Sequence, residues 1–469
     1  MKKYRILLLV LCAALLFSSL CGVCHAEGTE GEVQSAREAQ SAQFHVDCKA
    51  AMLIDLNNGR TIYEQNADDK IYPASLTKIM TCLVALERGN LSDTVTVSET
   101  ALDNLGEDSS LAGLQVGEQM SLENLLYCMM IVSGNEACNV VAEHIAGSVS
   151  DFVRMMNERA YELGCRNTHF ANPHGLHHEE HYTTARDLSI ITQAALKSEN
   201  FKQITNTAEY ELPATNLSEA RTLSTTNMLI SKSVSNIFYY PKAAGIKTGY
   251  TSAAGRCVIS TAKSGGMYFL GIVCGAATTL LESGDLRMES FPECIKLFEY
   301  GFNNFQYVPV LSPLYPVTQI GVENSAGSDA VALSPRDDIQ LLLPNDYNPD
   351  DLVVENHLKS SSVQAPVHTG DILGSSTVLF QGQVMAETEL LAIADVARSE
   401  IANVTAATEN VIHNNWWKWV VAVVILLILL PFVLLLVRSI RQKRRRKLRM
   451  QKRRAQLERR MREQDEDWR

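Results

Sequence analysis

Apolar residues recur every three to four positions over residues 75–88, 122–147, 151–164, 185–197 and 286–300. That spacing lays one face of a helix against a core. In the first of these runs Leu76, Ile79, Met80, Leu83, Val84 and Leu86 supply the apolar stripe, and Gly164 offers a C-terminal stop for the third. Alternation with a period near two marks strands instead. Residues 51–56 and 61–63 flank Asn57-Asn58-Gly59, a hairpin signal, and residues 257–262 and 267–274 read as a strand pair joined through Ser264-Gly265-Gly266. Helices lying between strands that pair locally predict an α+β domain, a sheet flanked by helices, rather than a doubly wound one.

Past Phe305 the pattern changes. Short runs such as 331–333, 339–343 and 378–384, separated by Pro, Gly, Asn and Asp, predict a small β domain over 304–396, followed by a stalk over 397–415. No nucleophilic or charged cluster in that domain looks catalytic.

Both ends of the chain are apolar in a different way. Lys2, Lys3 and Arg5 precede an apolar run over 6–16 and then Cys24-His25-Ala26, which reads as a cleaved signal peptide over 1–26 with a polar, flexible leader over 27–45. Neither Cys21 nor Cys24 follows the Leu-small-small pattern of a lipidation signal. At the other end, residues 420–437 are 18 uncharged positions. As a helix they reach roughly 27 Å, close to the thickness of a bilayer core. With Trp416, Trp417 and Trp419 as an interfacial belt, 416–437 reads as a single transmembrane helix.

Charge refines this division. Residues 438–469 hold 15 Lys and Arg against 5 Asp and Glu, and residues 1–26 hold three cations, so the remainder carries 24 cations against 48 acids within an overall net charge of -11. So acidic a body repels nucleic acid, which excludes DNA or RNA as a partner. The positive-inside rule places the basic tail in the cytoplasm and the rest of the mature chain outside the membrane. There the tail also contacts anionic membrane lipid. Eight cysteines follow residue 26, and their spacing matches no disulfide framework.

The candidate chemistry begins at Ser75-Leu76-Thr77-Lys78. Residues three apart on a helix share a face, so an unprotonated Lys78 amine can accept the proton that Ser75 must lose to act as a nucleophile. Burial or a second cation has to depress the lysine pKa for this. Alone, Ser-x-x-Lys reads better as a helix N-cap serine with a surface lysine than as a catalytic pair. Two further motifs change that balance: Ser133-Gly134-Asn135 at a helix start, and Lys247-Thr248-Gly249-Tyr250 ahead of a strand, in that order on an exported chain.

With these motifs the sequence resembles the serine D-alanyl-D-alanine carboxypeptidases, the low-molecular-mass penicillin-binding proteins. The likeness extends to Asn172-Pro173-His174-Gly175-Leu176, to residues 181–188 and to Ala253-Ala254-Gly255. It implies a transpeptidase/β-lactamase-like catalytic domain over 46–303 and a β-rich second domain. The implied reaction removes the terminal D-alanine from peptidoglycan stem peptides by a covalent acyl-serine cycle, without metal or cofactor and open to acylation by β-lactams. By the same resemblance Ser75 is the nucleophile, Lys78 its base and Ser133 the proton relay. Asn135, Lys247, Thr248, Gly249 and Tyr250 bind substrate, the backbone N–H groups of Ser75 and Tyr250 form the oxyanion hole, and Lys247 is the cation that depresses Lys78. Three departures stand out: Ala244 where the family often has Asp, Thr225 where it often has Asn, and a full C-terminal span where it usually has an amphipathic helix.

Two other readings remain at this point. A β-lactamase shares the Ser-Lys and Lys-Thr-Gly motifs but usually needs a Glu-x-x-Leu-Asn loop, which this chain lacks. A wall-binding membrane sensor would keep the fold without the chemistry. Four histidines, His174, His177, His178 and His181, invite a metal reading, but their spacing beside Pro173 and Gly175 does not put two ligands on one helix face, and they read as a loop bordering the site.

Overall fold

The computed structural model describes residues 44–103, 105–106, 109–281 and 286–466. The expected signal peptide and nearly all of the leader lie outside them. The chain divides into two compact units, one comprising the residues up to Val308 with Leu342–Tyr347, the other comprising Pro309–Leu341 and the residues from Asn348 onward.

The first unit runs β1 (Ala50–Asp55), β2 (Thr61–Gln65), a 3-10 turn (Ala74–Thr77), α1 (Lys78–Arg88), β3 (Thr94–Thr96), β4 (Gln119–Ser121), α2 (Leu122–Met130), α3 (Asn135–Ala146) and α4 (Val149–Glu162). It continues with α5 (Ala185–Ala195), α6 (Glu199–Thr205), β5 (Glu209–Leu212), β6 (Arg221–Ser224), β7 (Ala243–Thr251), β8 (Gly255–Ser264), β9 (Met267–Ala276), β10 (Thr278–Leu280), β11 (Leu286–Met288) and α7 (Ser290–Asn304). Its main sheet is antiparallel in the order β2-β1-β9-β8-β7, which leaves β7 on an edge. Alternation along the strands serves two cores. Met52, Ile54, Ile259 and Ile272 face the helical layer with Leu76, Ile79 and Leu83 of the first helical segment. Leu53, Val258, Phe269 and Val273 face α7 through Phe291, Cys294, Leu297 and Phe298. This is the α+β arrangement that the periodicity predicts.

Local differences have local causes. The helical pattern over 122–147 breaks into α2 and α3 because Ser133 takes φ +64°, a left-handed conformation that no α-helix accommodates. The run over 286–300 begins as the short strand β11 and turns helical only at Ser290. Lys247-Thr248-Gly249 lies inside β7 rather than ahead of a strand.

The remaining elements are β12 (Phe305–Leu311), β13 (Thr318–Glu323), β14 (Ala330–Pro335), β15 (Ile339–Pro344), β16 (Leu352–Leu358), β17 (Ser362–Gln364), β18 (Ile372–Phe380), β19 (Gln383–Ala392) and α8 (Glu400–Glu466). In the second unit a six-stranded sheet, β16-β18-β19-β14-β13-β17, closes over Ile320, Val331, Leu333, Val367, Leu390 and Ala392. The run over 378–384 is two strands, because Gln381 and Gly382 at φ +51° and +75° form the tight turn of a hairpin. Helix α8 takes in most of the expected stalk and runs on without a break. Within Trp416–Arg460 it is long and apolar enough to cross a membrane, with mean hydropathy 3.5 in its most apolar window and side chains such as Leu426 and Leu427 exposed.

Candidate active site

The nucleophile candidate sits in strained backbone. Ala74 takes φ +48°, and Ser75 follows it in the 3-10 turn that leads into α1, so the hydroxyl is presented ahead of the helix rather than along its side. Lys78, the first residue of α1, is fully buried. Its Nζ lies 3.0 Å from Ser75 Oγ, 2.7 Å from Asn135 Oδ1 and 2.7 Å from the backbone oxygen of His174. Two of these neighbours can only accept hydrogen bonds.

The turn is held from beneath by residues that the motifs do not reveal. Thr77 Oγ1 donates to Ala74 O at 2.8 Å and lies 2.7 Å from His181 Nε2, while His181 Nδ1 accepts the Ala171 N–H at 3.0 Å. That acceptance fixes the ring as the Nε2–H tautomer, so His181 donates to Thr77. Burial pushes the pKa of His181 down to about 3, and burial followed by the Lys78 charge does the same to His174. Both rings are neutral at ordinary pH. Thr81 Oγ1 donates to Pro173 O at 2.6 Å, so one face of α1 grips the 172–176 loop through Lys78 and Thr81 together. Gly175, at φ +94°, closes that loop against the nucleophile turn: a Cβ there would stand 1.9 Å from Ala74 O. Among the described residues, no group of three or more His, Cys, Asp or Glu side chains is arranged to hold a metal ion.

The second wall is β7. Gly249 approaches so closely that a Cβ would lie 3.0 Å from the Ser75 backbone nitrogen, so the strand edge bearing Gly249 and Tyr250 runs alongside the nucleophile. Thr248 Oγ1 is 2.7 Å from Thr226 Oγ1. Thr225, the first departure residue in that segment, accepts the Asn227 N–H at 3.1 Å through its hydroxyl. Ala244 accepts from Thr261 Oγ1 through its backbone oxygen at 2.8 Å, a contact that needs no particular side chain at 244. Lys247 is buried, and its Nζ donates to Thr248 O at 3.1 Å.

The third wall is the start of α3. Ser133 and Asn135 are both buried, and Asn135 N donates to Ser110 O at 2.8 Å. Among the described residues the Ser133 hydroxyl takes no hydrogen-bond partner. The structure therefore ties Ser75, Lys78 and Asn135 together directly and sets Gly249 against Ser75. Buried Glu136 was not signalled by any motif. Its Oε1 accepts the N–H groups of Ala112 and Gly113 at 2.5 and 2.9 Å, which holds that loop over the start of α3.

The charges differ from the sequence expectation in one respect. Burial is the leading cause of the lowered Lys78 pKa, with Cys138 and Glu136 acting weakly the other way. Lys247 is pushed well below the ordinary lysine value, first by burial and then by Lys78. Desolvation, more than the neighbouring cation, lowers the Lys78 pKa.

An edge strand flanking a half-buried serine and a fully buried lysine, on an antiparallel sheet covered by helices, defines a transpeptidase/β-lactamase-like catalytic unit, here followed by a β-rich domain. The chain belongs to the D-alanyl-D-alanine carboxypeptidase family, a family of serine-type hydrolases: residues 35–278 match the family model of that description, and residues 305–398 match the penicillin-binding protein 5 C-terminal domain. It is 33% identical over 365 residues to the D-alanyl-D-alanine carboxypeptidase DacF of Bacillus subtilis, covering 77% of this chain and 88% of that one. It is 30% identical over 366 residues to DacA of Escherichia coli K12, with 75% and 84% covered. The crystal structure of penicillin binding protein 5 from Haemophilus influenzae matches with a TM-score of 0.58 at 28% identity, over 76% of this chain and 99% of that one.

Proposed function

We propose that this chain trims the terminal D-alanine from peptidoglycan pentapeptide stems, with Ser75 as nucleophile and Lys78 as its general base. The observation that carries the proposal is the three-way environment of the Lys78 nitrogen. A neutral amine has two N–H bonds and one lone pair. The carbonyl oxygens of Asn135 and His174, each at 2.7 Å, take the two hydrogens, so the lone pair is left for the Ser75 hydroxyl at 3.0 Å. In that state Ser75 O–H donates to Nζ, the direction that proton abstraction requires. Positioned base catalysis of this kind contributes about 10²- to 10⁴-fold.

Attack of Ser75 Oγ on the penultimate D-alanine carbonyl places its proton on Lys78 and negative charge on the carbonyl oxygen. The backbone N–H groups of Ser75 and Tyr250 receive that charge, and each such donor contributes about 3 to 4 kcal/mol. Collapse breaks the peptide bond. Lys78 returns the proton through the Ser133 hydroxyl to the departing D-alanine amine, and water then hydrolyses the ester. The free Asn135 amide hydrogens hold the substrate backbone, while Lys247 and Thr248 face its terminal carboxylate and Gly249 gives the close approach. β-Lactams acylate the same hydroxyl.

The domain order expected from the sequence, a leader-borne catalytic domain and a β domain on a single C-terminal span with its basic tail in the cytoplasm and against anionic lipid, puts this chemistry at the cell wall. The test is to incubate the full chain, solubilised in detergent, with a pentapeptide ending in D-Ala-D-Ala. Release of one D-alanine per peptide by the wild type and none by Ser75→Ala is expected. Release by both, or by neither, overturns the proposal.

A further inference from the structure

Helix α3 begins without a cap of its own. Gly134, which flanks its first residue, has no side chain to bond the free N–H groups, and the loop over 109–114 supplies the partner instead: Ser110 O accepts the Asn135 N–H at 2.8 Å. The helix grips that loop in return. Glu136 in its first turn is 2% exposed, and its Oε1 accepts the N–H groups of Ala112, Gly113 and Leu114 at 2.5, 2.9 and 3.4 Å. The helix dipole favours a carboxylate there, and N–H bonds to it are about twice as strong as those to a neutral acceptor. A second buried carboxylate holds the far end of the loop. Glu118 accepts the Gln115 N–H and Thr215 Oγ1, each at 2.9 Å, and pairs with Arg221, whose Nη2 donates to Ala112 O at 3.4 Å.

The loop so held bears on the turn that carries Ser133. A Cβ on Gly134 would lie 3.1 Å from Ala112 Cβ and 3.2 Å from Cys128 O, so the turn is pressed between the loop and the end of α2. Ser133 keeps φ +64°, a conformation that persists only where the surroundings impose it. Glu136 thus reaches Ser133 through two close contacts, at Ala112 and at Gly134. It does so with one oxygen, since Oε2 is buried and has no hydrogen-bond partner among the described residues.

From this arrangement we infer that Glu136 is a positioning residue for proton delivery to the leaving group: by fixing the 112–114 loop it holds the Ser133 hydroxyl where the departing amine needs it. The inference rests on the Ser75 reaction proposed above and assigns Glu136 to one step of it. In acylation the bond from Ser75 Oγ to the carbonyl carbon forms and the C–N bond breaks, and the proton of Ser75 passes by way of Lys78 and Ser133 to the nitrogen, which cannot leave as an anion. Sulfur in place of that nitrogen removes the requirement. The C–S bond then breaks with its electron pair leaving on a thiolate, whose thiol has a pKa of about 8.5, and the proton stays on Lys78 until water takes it.

The test measures kcat/KM, which covers the steps up to acylation, for a pentapeptide ending in D-Ala-D-Ala and for the same peptide with sulfur in place of its last amide nitrogen. The full detergent-solubilised chain is used, with active sites counted by endpoint labelling with benzylpenicillin. Glu136→Ala is expected to lower the peptide value about 10- to 100-fold and the thioester value less than about threefold, because misplacing a reacting group by about 1 Å costs about 100-fold. Glu136→Gln keeps the gripping oxygen without its charge, and a loss of about 3- to 10-fold on the peptide alone is expected. Should Glu136→Ala fail to fold, the peptide-to-thioester ratio of Glu136→Gln decides by itself. Equal losses on both substrates would mark Glu136 as merely structural and overturn the inference, as would an undiminished rate on the peptide. A wild-type chain that turns over neither substrate would fail the Ser75 reading, whereas wild-type turnover of both with an unchanged ratio in the variants would fail the Glu136 inference alone.

Discussion

Replacing Gly175 by alanine tests whether the nucleophile turn is held in place by the loop beneath it. The new Cβ would begin 1.9 Å from Ala74 O, 2.4 Å from Ala74 C and 2.9 Å from Thr77 Oγ1. Backbone oxygen cannot swing aside as a side chain can, so loop and turn must part by about 1.1 Å to reach the 3.0 Å below which real Cβ contacts are essentially never seen. Overpacking of this kind costs about 1–3 kcal/mol. The left-handed backbone adds about 1–2 kcal/mol for any L residue with a Cβ. A total of about 2–5 kcal/mol lowers Tm by roughly 4 to 20 °C in a unit of this size. The kinetic consequence is larger than the thermal one, because Ala74 immediately precedes Ser75 and a displacement near 1 Å at a reacting group costs about 100-fold.

Gly59→Ala is the matched control. Gly59 also has a left-handed φ, +78°, but nothing lies within 4 Å of its Cβ position, so it should lose only the backbone contribution and acylate normally. Time courses of benzylpenicillin labelling, read on the folded fraction of each variant, separate the two. A Gly175→Ala protein that acylates within about threefold of wild type would refute the idea that this loop positions the serine.

Three more outcomes follow from the same geometry. Asn135→Asp puts a carboxylate where Oδ1 stands 2.7 Å from the Lys78 nitrogen, which raises the Lys78 pKa; the acid limb of the acylation pH profile should move upward and the rate at neutral pH should fall. His174 and His181 are neutral in the fold with pKa values near 3 against an ordinary 6.5, so the unfolded chain binds the extra protons and stability is lost as pH falls from 6.5 toward 3. Urea unfolding should show about 2 kcal/mol lost per histidine between pH 7 and pH 5, and His181→Gln should remove about half of that slope. Truncation before Trp416 should leave a protein that partitions into the aqueous phase of a detergent extraction, while the full chain follows the detergent.

Much of this site is legible in the sequence because its parts are local. Ser75 and Lys78 fall one turn apart, and their helical phase is readable from Leu76, Ile79 and Leu83. The hairpin of β1 and β2 and the pair β8 and β9 are announced by Asn58-Gly59 and Gly265-Gly266. What escapes is long-range. No local pattern says that β9 lies between β1 and β8, which sets the edge on which Lys247-Thr248-Gly249 is displayed.

The supporting contacts escape for the same reason. Thr77 and His181 are 104 residues apart, and each looks like an ordinary polar residue until burial makes their bond obligatory. Lys247 invited an electrostatic role because its motif is readable, whereas the desolvation that acts first on Lys78 depends on packing from α1, α3 and the 172–176 loop together.

The most direct measurement is peptide mapping by mass spectrometry after the full chain reacts with benzylpenicillin. A single adduct on the hydroxyl of Ser75, forming faster as Lys78 loses its proton and absent from Ser75→Ala, is the predicted result. An adduct on any other residue, or labelling of the Ser75→Ala chain at an undiminished rate, would contradict it.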